Sequence, residues 1–369
     1  MKKILLFSAY DALSHRYWRE GLVVNFPEHD WAVLTLPARY FRWRIRGNSL
    51  TWAFSEQEVL SQTYDLVIAT SMTDLATLRG LVPSLAQIPS IVYFHENQFA
   101  YPEGDHKQHN VEAKMVTIYS ALTADKVVFN SDYNRQTFLE GSASFLGKMP
   151  DGIPVGVCDQ IAQKAVVLPV PLNEPINKPN ENIFFKKKQS SFTILWNHRW
   201  EYDKAPERFL QALIELKERK VDFKLNMLGQ QFRQMSAVFD QMKENLSDHI
   251  QNWGFVESEE AYRSIMIESD VVVSSALHDF QGLSILEAVI CGCVPVVPDR
   301  LAYREFIADQ FRYESYFADK EKEVQELADH LERLSRDYKN NKLIETPDLS
   351  KLCWGNLKEK YRQEFFSQR

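Results

Sequence analysis

The chain has 369 residues, 45% of them apolar and 25% charged, which is enough for two α/β domains with separate cores. A formal net charge of −7 excludes a generic coater of nucleic acid, because affinity for a polyphosphate backbone needs cations; contact with such a partner would have to come from a local basic patch. No leader-like segment opens the sequence, no apolar run reaches bilayer length, and Cys158, Cys291, Cys293 and Cys353 lack histidines at metal-ligand spacing, so the expectation is a cytoplasmic protein with no metal, no resident cofactor, no membrane contact and no indicated protein partner.

Short apolar runs alternate with helical patterns along most of the chain. Residues 4–8, 31–36, 65–70, 91–95, 127–130 and 166–169 read as strands. Residues 173–191, rich in Asn, Pro and Lys, read as an exposed linker. The alternation restarts with strands at 192–196, 223–228, 250–255, 270–275 and 294–297, and residues 206–219 place Phe209, Leu213 and Leu216 at helical spacing. Strand–helix alternation in two blocks predicts two Rossmann-like parallel-sheet domains, residues 1–172 and 192–350, facing a central cleft. Residues 351–369 form a closing segment in which 354–366 reads as a helix crossing back to the first domain. Ligands of such sheets sit at the carboxyl ends of strands, so those turns are where chemistry is sought.

In the first block, the turn after the opening strand carries Ser14, read as a helix N-cap, and His15, read as facing the cleft. Pro37, Ala38, Arg39, Tyr40, Phe41, Arg42, Trp43, Arg44, Ile45 and Arg46 follow the second strand. Four arginines interleaved with Tyr, Phe and Trp offer cations for phosphates and flat faces for unpaired bases, or else a local core with a solvated arginine face. Tyr93, Phe94, His95, Glu96, Asn97 and Gln98 put four hydrogen-bonding side chains behind a buried strand, which suggests a binding site with His95 against a transferred sugar. Asn130 and Ser131 end another strand on the same side, and His106, Lys107 and His109 would extend its rim.

In the second block, Asn197, His198, Arg199, Trp200, Glu201, Tyr202, Asp203 and Lys204 precede Pro206, which suits the first turn of a helix. Arg199 and Lys204 in that loop would neutralise a leaving diphosphate without a metal. His278, Asp279, Phe280, Gln281, Gly282, Leu283, Ser284 and Glu287 follow a strand and open a helix: Gly282 admits a close ligand, the amides of Leu283 and Ser284 suit a phosphate, Asp279 would contact a sugar and Glu287 a ribose. Gly229 ends the strand at the donor side, Gln230 and Gln231 would edge the nucleotide cleft, and Val256 would belong to its apolar wall. Trp253 and Phe255 would wall the base or else end a strand in the core, and Cys291 and Cys293 read as core thiols.

Arg199 and Lys204 followed by Asp279 and, after seven intervening residues, Glu287 resemble the retaining GT-B glycosyltransferases of family four, in which the first acid is usually Glu. The motifs around Ser14-His15, Thr35-Leu36-Pro37-Ala38, Trp43-Arg44, residues 93–98, residues 125–131, Trp253-Gly254-Phe255 and residues 287–292 look like the tRNA-queuosine mannosyltransferase family, over residues 1 to about 305. That resemblance implies GDP-mannose as donor substrate and queuosine at the wobble position of aspartate tRNA as acceptor. On the residue patterns above, Arg199, Lys204, Asp279 and His95 are then expected to be catalytic, Gly282, Leu283, Ser284, Glu287, Gly229 and Val256 to line the donor, and Ser14, His15, Arg39, Arg42, Trp43, Arg44, Arg46, Glu96 and Asn97 to meet the tRNA. The alternatives are a GT-B enzyme acting on a lipid or polysaccharide, or a non-catalytic RNA-binding protein with a vestigial sugar-nucleotide site. A dinucleotide oxidoreductase is disfavoured, since no Gly-x-Gly-x-x-Gly turn follows the first strand.

Overall fold

Continuous apolar runs build both sheets of the chain, whose computed structural model describes residues 1–101, 111–174, 191–231, 236–342 and 346–367. Strands buried on both faces need apolar side chains at successive positions rather than alternation, as in Ile4-Leu5-Leu6-Phe7. The first sheet contains β1 (Lys3–Ser8), β2 (Asp30–Thr35), β3 (Leu66–Thr70), β4 (Ser90–Phe94), β5 (Lys126–Phe129) and β6 (Ala165–Val167) in the order β2-β1-β3-β4-β5-β6. The second contains β7 (Phe192–Trp196), β8 (Phe223–Leu228), β9 (Ile250–Gly254), β10 (Val271–Val273), β11 (Val294–Pro298) and β12 (Arg312–Tyr313) in the order β12-β11-β10-β7-β8-β9. All recorded pairings are parallel. This is the GT-B class of α/β fold.

The chain divides into two units, residues 1–171 with 357–369, and residues 172–356. The returning tail is tied into the first unit by aromatic and polar contacts: Trp18 Nε1 donates to Tyr361 Oη at 3.0 Å, and that hydroxyl donates to the Pro169 carbonyl at 2.9 Å. Phe366 packs edge-on against Phe26. Residues 351–356 stay with the second unit, because the Leu172 amide and carbonyl bond Leu352 and Trp354.

Within the second sheet the strand order reverses between β7 and β10, and the loops leaving those two strands diverge into helices on either side of that point. A crevice at such a switch is where open α/β sheets hold ligands. In the first sheet the corresponding reversal lies between β1 and β3. Strand ends differ from the sequence reading by one or two residues; β10 stops at Val273, and beyond it Ser274 Oγ meets His198 Nε2 while Ser275 Oγ donates to the Lys204 carbonyl. Residues 106, 107 and 109 and most of the linker lie outside the described residues. No described helix is long and apolar enough to cross a membrane.

Candidate active site

After β7, the loop folds back on the end of β8. Gly229 has φ +142°, and a Cβ there would sit 1.7 Å from the His198 carbonyl oxygen, so backbone approach alone demands glycine. Asn197 then donates to the Ser284 carbonyl at 2.9 Å and to Tyr262 Oη at 3.0 Å, tying this loop to the Leu283–Ile290 helix. His198 is buried, with Nε2 3.1 Å from Ser274 Oγ, which lies 2.8 Å from Tyr303 Oη. Burial, reinforced by Lys204, pushes the His198 imidazole down to about 3, so it is neutral at physiological pH.

Lys204 ends a short 3₁₀ turn, Tyr202–Lys204, before Pro206 opens the Pro206–Glu218 helix. Its Nζ donates to the His278 carbonyl at 2.6 Å and lies 3.2 Å from Asp203 and 3.5 Å from Asp279. Asp279 accepts the Gly282 amide at 2.9 Å on one oxygen and the Tyr303 hydroxyl at 3.2 Å on the other. Burial alone would raise this carboxyl, but Lys204, His198 and the Gly282 amide outweigh it and bring it down to about 2. Asp279, expected on the sugar, gives one oxygen to the Gly282 amide of its own turn and the other to the Tyr303 hydroxyl.

Gly282 has φ +74°, and a Cβ there would lie 2.6 Å from the Tyr303 ring. It caps a helix whose first amides, those of Leu283, Ser284 and Ile285, have no intrahelical acceptor, a ready site for an anion. The second unit thus brings Lys204, Asp279 and Gly282 together and links Asn197 to Ser284. Arg199 pairs with Glu201 at 3.1 Å and keeps 41% of its side chain exposed, which leaves the guanidinium accessible. Burial lifts Glu287 to about 7, Glu259 adding to the effect and Arg263 opposing it. Val256 packs on the core and Phe255 is half exposed. The Cys293 thiol faces the Met266 carbonyl.

His198, Ser274 and Tyr303 were not singled out in the sequence, nor was Arg300, which donates to the Ala276 carbonyl at 2.9 Å behind the β10 loop and is held by buried Glu323. These residues meet only because parallel pairing stacks the ends of β7, β10 and β11. No local pattern in the sequence marks them.

In the first unit, His15 and His95 stack with ring centres 4.2 Å apart, and Glu96 accepts from Ser71 Oγ at 2.7 Å and contacts His15 Nε2 at 2.9 Å. His95 Nε2 is buried without a hydrogen-bond partner, and burial followed by His15 drives its pKa well below the ordinary value. Four expectations are corrected here. Ser14 is not a cap: Ala12 holds that position and Ser14 is exposed in the first turn of the Leu13–Asn25 helix. His15 does not lie open to a cleft, since it is buried against His95. Asn97 is fully buried and donates to Asn134 and Thr137, bracing the loop. The arginine segment is chiefly a helix, Phe41–Ser55, so its charges sort by helical phase: Arg44 turns inward and is buried, Arg46 pairs with Asp74 at 2.7 Å, and Arg39, Arg42 and Trp43 remain exposed.

Residues 3–172 match the model of the tRNA-queuosine alpha-mannosyltransferase N-terminal domain, and residues 178–346 match that of glycosyl transferases group 1. A tRNA-queuosine alpha-mannosyltransferase of Drosophila melanogaster is 34% identical over 315 residues, covering 84% of this chain and 83% of that one. The chain belongs to the tRNA-queuosine alpha-mannosyltransferase family. It is accordingly a glycosyltransferase of tRNA queuosine modification. Solved structures agree on the fold: sucrose-phosphate synthase of Thermosynechococcus elongatus gives a TM-score of 0.73 at 13% identity, covering 99% of each chain. Anabaena HepE in complex with UDP and glucose gives 0.63 at 15%, covering 99% of this chain and 96% of that one. Among the described residues of this family member, no group of three or more His, Cys, Asp or Glu is arranged to hold a metal ion.

Proposed function

We propose that this chain transfers mannose from GDP-mannose to queuosine at the wobble position of aspartate tRNA, with retention at the anomeric carbon and without a metal ion, in the cytoplasm. One observation carries the reading: at the strand-order switch, the Lys204 ammonium sits within 3.5 Å of the acid that also accepts the amide of Gly282, the glycine that opens the anion-ready helix. Lys204, Arg199 and the amides after Gly282 would hold the diphosphate and stabilise its charge as the bond from the anomeric carbon to the phosphate oxygen breaks. The acceptor hydroxyl attacks from the same face, forms the new carbon–oxygen bond and passes its proton to a leaving phosphate oxygen. Asp279 pairs with Lys204 and fixes the turn through the Gly282 amide. Glu287, about one turn into the Leu283–Ile290 helix, would accept hydrogen bonds from the ribose.

Incubation of queuosine-containing tRNA with GDP-mannose in excess EDTA, followed by nucleoside mass spectrometry and NMR of the product anomer, tests this. One added hexose in the α configuration is expected. UDP-glucose as the better donor, a β product, or activity abolished by EDTA would overturn it.

A further inference from the structure

Trp43 lies on the exposed side of the Phe41–Ser55 helix, over Gly47 one turn along. A Cβ at Gly47 would fall 2.5 Å from Trp43 Cε2, 2.7 Å from Cζ2 and 2.9 Å from Cδ2. Cε2 is a ring-fusion carbon, bonded in the ring plane on three sides, so an atom that close can approach only over the ring face. The indole is therefore laid flat across the helix, in the space that a side chain at Gly47 would fill. Its other face looks outward, and the residue remains 56% exposed. A large aromatic ring laid open to water forgoes the burial it would gain in the core.

Its surroundings narrow what would cover it. Arg42, the preceding helical residue, is exposed, and Arg39 places its guanidinium 5.5 Å from the ring centre of Tyr40. Tyr40 is itself 71% exposed and holds the left-handed conformation, φ 54°, at the helix start. Strain of that kind at a non-glycine residue persists where the surroundings impose it, commonly at ligand sites. A flat aromatic face on a helix whose start also exposes guanidinium groups complements a nucleobase and its phosphate. We infer that Trp43, seated on Gly47, is a stacking platform for one unpaired nucleobase of the RNA acceptor, with Arg39 and Arg42 on the flanking phosphates. The inference rests on the tRNA reading above and adds the residue that distinguishes loop from duplex.

The test is fluorescence anisotropy with the full chain, titrating an anticodon stem-loop RNA and a blunt RNA duplex of equal length. Trp43→Ala should weaken the stem-loop about tenfold, the order expected for loss of one stacked base, and leave the duplex within about twofold. Trp43→Phe should retain most of the affinity. Gly47→Val, whose side chain enters the space under the ring, should behave like Trp43→Ala, with thermal melts showing both variants folded. The slope of log affinity against log salt should not change, because no cation is lost. Equal weakening of both RNAs, or no weakening, overturns the platform. So does a wild-type dimer that Trp43→Ala dissociates, since Leu50 and Phe54 continue this exposed face and a second copy would then be its occupant. A wild-type chain that binds neither RNA sinks the tRNA reading itself.

Discussion

Residues 197–204 and residues 39–46 both bring arginine or lysine to the carboxyl side of a strand, yet the two settings dispose of the charge differently. In the first, a loop pinned by Gly229 and Asn197 sets Lys204 between Asp203, Asp279 and a carbonyl. In the second, a helix distributes four arginines around its axis and its start, leaving Arg39 and Arg42 exposed, one ion-paired and one buried. A loop closed by parallel strands converges its side chains on a point, which suits a diphosphate. A helix spreads them over a surface, which suits a polymer.

The contrast breaks most visibly at Lys204. Lys204→Ala leaves Asp203 and Asp279 buried without their cation, so it should cost roughly 3–5 kcal/mol of stability and reduce hexose transfer by on the order of 100-fold or more. Differential scanning fluorimetry and the mass-spectrometric transfer assay would show both. Full activity with an unchanged melt would mean that Lys204 serves neither purpose.

Glu287 offers an intermediate effect with a definite sign. Its carboxyl is raised to about 7 from an ordinary 4.5, so the folded state holds the proton more tightly than the unfolded chain. Its stabilising contribution is fully present below about pH 4.5 and is lost as pH rises through 7. Glu287→Gln should therefore stabilise the ligand-free protein by about 2–3 kcal/mol at pH 8 and by less than about 1 kcal/mol at pH 5, while weakening nucleotide binding. A gain independent of pH would show that Glu287 is not the titrating group.

The arginines of the helical segment sharpen the comparison at the smallest scale. Arg42→Ala should lower stem-loop affinity a fewfold and reduce the salt slope by about 1. Arg44→Ala should leave that slope unchanged and lower the melting temperature instead, because Arg44 is buried. Equal effects on the slope would mean that helical phase does not sort these charges.

What could be read from the sequence follows the same division. Strands were legible because burial on both faces demands unbroken apolar runs, as in residues 4–7 and 192–196, and Pro206 marked its helix start without ambiguity. Gly282 was legible as the glycine that opens a helix and admits a close ligand; the structure adds that its φ beside the Tyr303 ring tolerates only glycine. Tyr303 was not legible: it reaches Asp279 from 24 positions downstream, across a strand pairing with no local pattern. Ser14 looked like a cap because Ser favours that position, but the helix begins earlier, at Leu13, with Ala12 before it. The Arg-aromatic run left its four arginines unsorted, because its apolar residues lack a clean helical period; the period is obscured by Trp43, which belongs to the surface rather than the core.

Calorimetric titration of GDP into the wild-type chain and into Arg199→Ala, with stem-loop affinity measured in parallel, bears most directly on the separation of donor and acceptor charge. One GDP per chain, bound at least tenfold more weakly by the variant while RNA affinity stays the same, is the expected result. GDP binding that is absent from the wild type, or equal in both proteins, or lost together with RNA binding, would contradict it.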